Sequence, residues 1–154
     1  MRALIQRVAQ AWVEAGGQEV GRIGRGLVVL LGVAEADTED DARYLVDKIS
    51  HLRIFSDEQN RFNRSALDVG AEFLVVSQFT LYADTRRGRL PDFTQAAAPQ
   101  KAQQLYLHAV ELFRSTGLKV DTGQFQEYMQ VHLQNDGPVT LMLDSSDHHR
   151  SRRD

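Results

Sequence analysis

Eleven residues, Glu72 to Tyr82, alternate like the two faces of a β-strand, and no other segment constrains the fold as strongly. Phe73, Val75, Ser77, Phe79 and Leu81 fall on one face; Leu74, Val76, Gln78, Thr80 and Tyr82 fall on the other. A strand with large apolar groups on both sides needs cover on both sides. Leu27 to Val33 has the same character, an apolar run of strand length. Further strands are predicted over Leu4–Trp12, Arg53–Phe55, Tyr128–Gln134 and Val139–Leu143. Gly16-Gly17 is read as a hairpin turn and Gly24-Arg25-Gly26 as a second turn. Ser56 to Arg64 is polar and reads as a loop.

Two segments carry the helical period instead. Thr38-Glu39-Asp40-Asp41 resembles a capping box with Asp in place of Glu, and Ala42, Leu45, Ile49 and Leu52 follow at helical spacing. Pro99 suits a first helical position; Ala102, Leu105, Ala109 and Leu112 or Phe113 form a stripe, and Gly117 ends it. Strands without regular strand–helix alternation argue against a Rossmann-type sheet and for an α+β domain of mixed or antiparallel strands with two main flanking helices. One domain is expected over residues 1–143. The polar residues 144–154 are expected to form a flexible tail.

With 154 residues and 42% apolar content, the chain can bury a core without staples. It has no cysteine, which removes disulfides, thiolate nucleophiles and Cys-based zinc sites. Arg2 and Arg7 interrupt the N-terminus too early for a signal-peptide core, and no apolar run is long enough to span a bilayer. A soluble cytoplasmic protein is expected. The net charge of −3 argues mildly against nucleic acid. Yet Arg86, Arg87 and Arg89 cluster, as do Arg150, Arg152 and Arg153 at the C-terminus, so a local polyanion contact competes with simple solvation.

The usual catalytic patterns are missing. There is no G-x-S-x-G around Ser77, no Walker loop and no H-E-x-x-H. His51, His108, His132, His148 and His149 each read better as packing or solvated groups, and no convergent metal ligands can be assembled; neither metal nor cofactor is expected. Ser77 and Thr80 are hydroxyls without a neighbouring base. Read locally, Asn135-Asp136-Gly137-Pro138 is a turn between two strands.

Two strings change that reading. Ser77-Gln78-Phe79-Thr80-Leu81 and Asn135-Asp136-Gly137-Pro138-Val139-Thr140 together resemble the two signature segments of the D-aminoacyl-tRNA deacylase family. Ile5-Gln6-Arg7-Val8, Gly26-Leu27, Leu31-Gly32-Val33, Arg53-Ile54-Phe55, Ala83-Asp84 and Thr122-Gly123-Gln124-Phe125 agree, so the resemblance runs from about Met1 to Leu143. It implies a small barrel-like β domain acting as a homodimer with its active site at the dimer interface. The partner is the 3′ end of aminoacylated tRNA; neither DNA nor membrane is implied. The implied reaction is hydrolysis of the ester of D-aminoacyl-tRNA, and of glycyl-tRNA mischarged on tRNA(Ala), as translational proofreading.

The resemblance also assigns roles. Ser77, Gln78, Phe79 and Thr80 match the catalytic segment, with backbone N–H groups of Gln78, Phe79 and Thr80 as oxyanion donors and the tRNA's own 2′-hydroxyl assisting. Phe79 has packing in the core as its alternative. Gly137 and Pro138, joined by a cis peptide, match a chiral filter that reaches into the partner's pocket. D- and L-aminoacyl groups carry the same substituents, so a rigid backbone wall discriminates by exclusion and must then admit glycine. Arg7, Asn135, Met129 and Thr140 match site support; for Thr140 a structural or substrate-orienting hydroxyl is favoured over a nucleophile. Arg86, Arg87 and Arg89 are candidate RNA contacts, and Phe93 either stacks on the terminal adenine or closes the base of its loop. Leu90 stands before Pro91-Asp92-Phe93 where the family often has a basic residue, and the positive charge stands at Arg89 instead. Two other readings remain: a tRNA 3′-end binding module without activity, and a small-ester hydrolase using Ser77 or Thr80.

Overall fold

A computed structural model describes residues 1–150. Strand β1 (Arg2–Ala15) organises the sheet. Its first half pairs antiparallel with β3 (Gly26–Gly32), its second half with β2 (Gln18–Ile23), and its other edge with β8 (Met129–Asp144). Gly16 and Gly17 both take positive φ in the β1–β2 turn, as a tight hairpin demands. Strand β6 (Glu72–Ser77) lies parallel to β3, and β7 (Val120–Thr122) parallel to β6.

The far edges nearly meet. The Arg22 N–H donates to the Asp121 carboxylate at 2.7 Å, and Lys119 Nζ donates to the Arg22 carbonyl at 2.8 Å. A Cβ on Gly21 would lie 2.5 Å from the Thr122 carbonyl oxygen, so this approach of β2 to β7 requires glycine. The result is a nearly closed, barrel-like mixed sheet, the α+β class expected.

Closure creates two cores. Val8, Ala11, Val13, Ile23, Val28, Leu74 and Val76 fill the barrel. On the outside, Ile5, Leu27, Val29, Phe73 and Val75 meet α1 (Glu39–His51) and α3 (Pro99–Arg114). Leu45, Ile49, Ala109 and Phe113 provide the helical side, and the Phe73 and Phe113 rings lie 4.7 Å apart. Leu27 and Val28 face different cores, which explains an apolar run without alternation. The Asp41 carboxylate accepts the Thr38 N–H at 2.8 Å, closing the short capping box at the start of α1.

Four expectations need correction. The segment expected to be a loop contains a hairpin, β4 (Phe55–Ser56) and β5 (Phe62–Arg64), followed by a one-turn helix α2 (Ala66–Val69). Asp57 Oδ1 accepts the Gln59 and Arg61 N–H groups and shapes that turn. Second, the Glu72–Tyr82 strand ends at Ser77. The Gln78 N–H donates to the Leu31 carbonyl at 2.8 Å, β3 stops at Gly32, and Phe79–Tyr82 winds into a 3₁₀ turn.

Third, Asn135–Pro138 is not a hairpin turn. Both flanks pair with β1 in the same antiparallel direction. Val8 faces Asn135 and Gln6 faces Thr140, so two steps of β1 match five of β8, and the three surplus residues bulge outward. Fourth, the tail is docked through its first half. Asp144 ends β8, Ser145–His149 forms a 3₁₀ turn, and Ser145 is 2% exposed. Its N–H donates to the Met1 carbonyl and its hydroxyl to Asp41, while the Met1 amino group donates to Asp37. Arg152 and Arg153, with the rest of 151–154, lie outside the described residues.

Candidate functional site

The end of β6 opens a cavity of about 540 Å³. Ser77, Phe79, Phe93, Pro99, Phe125 and Gln126 line it together with small alanines. It forms because β6 stops where α3 begins, and because the 3₁₀ turn throws Phe79 outward. Phe79 is 55% exposed and meets Phe93 edge-on with ring centres 5.0 Å apart, so neither ring joins the core. Among the described residues, no titratable side chain lines this cavity.

The backbone beside the cavity separates the three expected donors. The Gln78 N–H is spent on Leu31. Those of Phe79 and Thr80, the first two of the 3₁₀ turn, have no backbone acceptor among the described residues, as the start of any such helix requires. The Gln78 side-chain amide donates to the Thr80 hydroxyl. Met129 does not line the cavity; it packs against the barrel core, its sulfur accepts the Gln124 N–H at 3.3 Å and it fills the space beside Gly123, where a Cβ would meet it at 2.6 Å.

The Asn135–Thr140 bulge is built around Arg7, which is 8% exposed. Its Nε donates to the Asp136 carbonyl at 3.0 Å and its Nη1 to the Ile54 carbonyl at 2.7 Å. Asn135 ties the ends of the bulge, accepting the Val139 N–H at 3.2 Å and donating to the Thr140 hydroxyl at 3.1 Å. Gln6 donates to the same hydroxyl at 3.1 Å, so two amides and no base engage Thr140. The Gly137–Pro138 peptide is cis, and both residues are exposed. Gly137 has a φ of 134°, a backbone region essentially confined to glycine.

The two segments do not converge within one chain. Ser77 faces Leu31, Leu31 faces Ala3, and Ala3 faces Leu143, three residues beyond Thr140 on β8. Three strand spacings and three residue rises separate Ser77 from Thr140 by roughly 17 Å along the sheet. Among the described residues, the strand that carries the bulge pairs with β1 alone, and it exposes Val131, Leu141 and Met142.

The basic loop is closed by paired backbone bonds between Asp84 and Asp92 at 2.8 and 2.9 Å. Arg86 is tied to Asp84, and its guanidinium holds that carboxyl down at about 2. Arg87 and Arg89 have no carboxylate partner among the described residues. The histidines lie elsewhere: His51 meets Asp47, His108 meets Glu39, His132 stacks on Trp12, and His148 packs on Tyr44. No group of three or more potential metal ligands exists among the described residues, and no helix there is long and apolar enough to cross a membrane.

Comparison with known proteins follows the same outline. A family model described as D-Tyr-tRNA(Tyr) deacylase matches residues 4–144. A D-aminoacyl-tRNA deacylase of Heliobacterium modesticaldum is 60% identical, covering 94% of this chain and 96% of that protein. One from Thermotoga petrophila is 56% identical over 95% and 98%. A solved structure titled c-Myc DNA Unwinding Element Binding Protein superposes with a TM-score of 0.88 at 42% identity, covering 94% of this chain and 98% of that one. Another, titled as a probable eukaryotic D-amino acid tRNA deacylase, has a TM-score of 0.83 over 93% and 98%; at 20% identity it speaks for the fold.

Proposed function

The chain belongs to the D-Tyr-tRNA(Tyr) deacylase family and is a D-aminoacyl-tRNA deacylase, a hydrolase of that ester; from that premise we propose how its site cleaves the ester and rejects L-residues. The terminal adenosine occupies the cavity at the end of β6, against Phe79 and Phe93. The ester carbonyl points at the Phe79 and Thr80 N–H groups. Water adds to the carbonyl carbon, the two N–H groups hold the oxyanion, and the bond to the ribose 3′-oxygen breaks. The attacking water leaves its hydroxyl on the amino acid, and its proton goes to the departing 3′-oxygen. The neighbouring 2′-hydroxyl of the tRNA orients that water. Ser77 and Gln78 shape the site, and neither is a nucleophile or an oxyanion donor.

One observation carries this reading: among the described residues, a cavity without a titratable side chain lies beside two unspent backbone donors. Catalysis there rests on preorganised backbone and on the substrate. Two measurements test it. D-Tyr-tRNA ending in 2′-deoxyadenosine should be cleaved far more slowly than the ribose form, and Ser77→Ala should keep turnover within about threefold. Equal rates on both tRNAs, or a dead but folded Ser77→Ala, would defeat it. The absence of any D-selective turnover would restore the binding-module reading.

Selectivity is assigned to Gly137 and Pro138. They are exposed, lie roughly 17 Å along the sheet from their own cavity, and ride on a strand with exposed apolar groups, so the cavity they serve belongs to a second copy. In that homodimer the bulge forms one wall at the substrate's α-carbon. It leaves room for hydrogen and not for an L-side chain, and glycine esters on tRNA(Ala) pass for the same reason. Arg87 and Arg89 meet tRNA phosphates, and the enzyme works in the cytoplasm, where charged tRNA is used.

A further inference from the structure

Phe55 anchors the β4–β5 hairpin in the core, but its turn and β5 belong neither to the core nor to the chemistry above. Its turn is fixed by Asp57 and by Asn60 in a left-handed conformation. From it Phe62 projects with 56% of its surface exposed, unusual for a ring of this size in a turn of polar residues. The Arg7 guanidinium lies 5.5 Å from the centre of the Phe62 ring. The arginine that braces the bulge at Asp136 therefore also braces the hairpin, through the Ile54 carbonyl below it and the Phe62 ring beside it. Arg7 thus joins hairpin and bulge.

Three arginines surround the ring in sequence. Arg64 pairs with Glu58 at 3.3 Å. Arg53 and Arg61 bond only to amide oxygens, those of Asn63 and Gln59, and have no carboxylate partner among the described residues. An exposed aromatic face on a hairpin that also carries guanidinium groups without a carboxylate ion pair among the described residues has the chemistry to hold an unpaired nucleotide: the ring stacks on a base, and the cations meet the phosphates.

We propose that this hairpin is a second contact for the tRNA, holding the unpaired nucleotides that precede the terminal adenosine, with a base on Phe62 and phosphates against Arg53 and Arg61. The proposal rests on the reading that the bulge serves a second copy's cavity, because the hairpin then arrives at that cavity's mouth together with the gate. The enzyme thereby reads the two ends of one short strand with two chains.

The test compares D-Tyr-tRNA with the D-tyrosyl ester of adenosine, which has the terminal nucleoside and nothing before it. Phe62→Ala should raise KM for the tRNA about tenfold, leave kcat nearly unchanged, and leave the adenosine ester unaffected. Arg61→Gln, an exposed change without packing consequences, should weaken the salt dependence of tRNA binding by about 0.7 in log–log slope. Equal losses on both substrates would mean that Phe62 acts through Arg7 on the gate, and would overturn the proposal. So would no loss on either, or conversion of Phe62→Ala to a monomer in sedimentation, which would make the ring a surface for the second copy. The unmodified enzyme on D- and L-tyrosyl adenosine tests the gate by itself, so failure there speaks against the chiral reading and not against the hairpin.

Discussion

Ser77–Tyr82 reads as strand and Asn135–Pro138 as a turn between strands; both leave the ladder, for opposite reasons. The first leaves because its partner ends. Beyond Gly32 there is no β3 backbone left to bond, so the chain coils and the Phe79 and Thr80 N–H groups are left free. The second leaves in mid-strand although β1 continues beside it, and the ladder resumes at Thr140. Side chains hold it out: Arg7 on the Asp136 carbonyl, Asn135 across the base. A segment that runs out of partner offers donors. A segment pulled from its partner offers a wall. The comparison predicts that damage to the first slows the chemistry and damage to the second blurs selection.

The largest effect is expected at Gly137. A Cβ there would meet Val139 Cγ2 at 2.8 Å and Arg7 Nη2 at 3.0 Å, on a backbone with φ 134°. Gly137→Ala should cut the D-over-L ratio about a hundredfold, since shifts near 1 Å at a reacting centre have that cost. A retained ratio, measured with D- and L-Tyr-tRNA on folded protein, would remove the bulge from the selection step. Arg7→Ala comes next. It leaves the Asp136 and Ile54 carbonyls without their charged donor and should destabilise the fold by about 2 kcal/mol. Denaturant melts check the stability, and the D-over-L ratio should fall in the same variant.

Gly32→Ala probes the other segment. Its Cβ would press on the Gln78 carbonyl at 3.0 Å and on Leu81 at 3.1 Å, displacing the 3₁₀ turn by a few tenths of an ångström. A loss in kcat of about tenfold with selectivity intact is expected; a changed D-over-L ratio would erase the distinction between the two segments. The smallest effect concerns the loop between them. Asp84 is held at about 2 by Arg86, below the usual carboxylate value near 3.9. Its contribution to the folded state is present above pH 4 and lost as pH falls through 2. Arg86→Gln should return the Asp84 carboxyl titration, followed by NMR, toward about 4, without altering either segment's function.

Much of the fold was readable from periodicity. The Ala42–Ile49 and Ala102–Phe113 stripes, the Gly16-Gly17 hairpin and the Leu27–Val33 run describe local geometry that side-chain spacing encodes directly. The failures share one cause. Phe79, Leu81 and Tyr82 alternate correctly, yet a strand needs a partner, and whether β3 reaches that far is a fact about another part of the chain. Phe62 lay in a stretch too polar to suggest a strand; Asp57 makes the turn and Arg7 supplies the support. At the site, the residue types point to both segments but do not say which N–H groups are already spent: the Gln78 N–H, an expected oxyanion donor, donates to the Leu31 carbonyl.

The sequence alone determined the family, the class of fold, the lack of a conventional catalytic triad and the residues of both signature segments, because these depend on residue identity and on local period. Tertiary structure decided the rest: that Phe79 and Thr80 hold free donors, that the Asn135–Thr140 segment is a bulge and not a turn, and that the two lie roughly 17 Å apart along one sheet. Strand ends, surplus residues and separations across a sheet arise from pairing between distant parts of the chain, and no window of sequence contains both members of the pair.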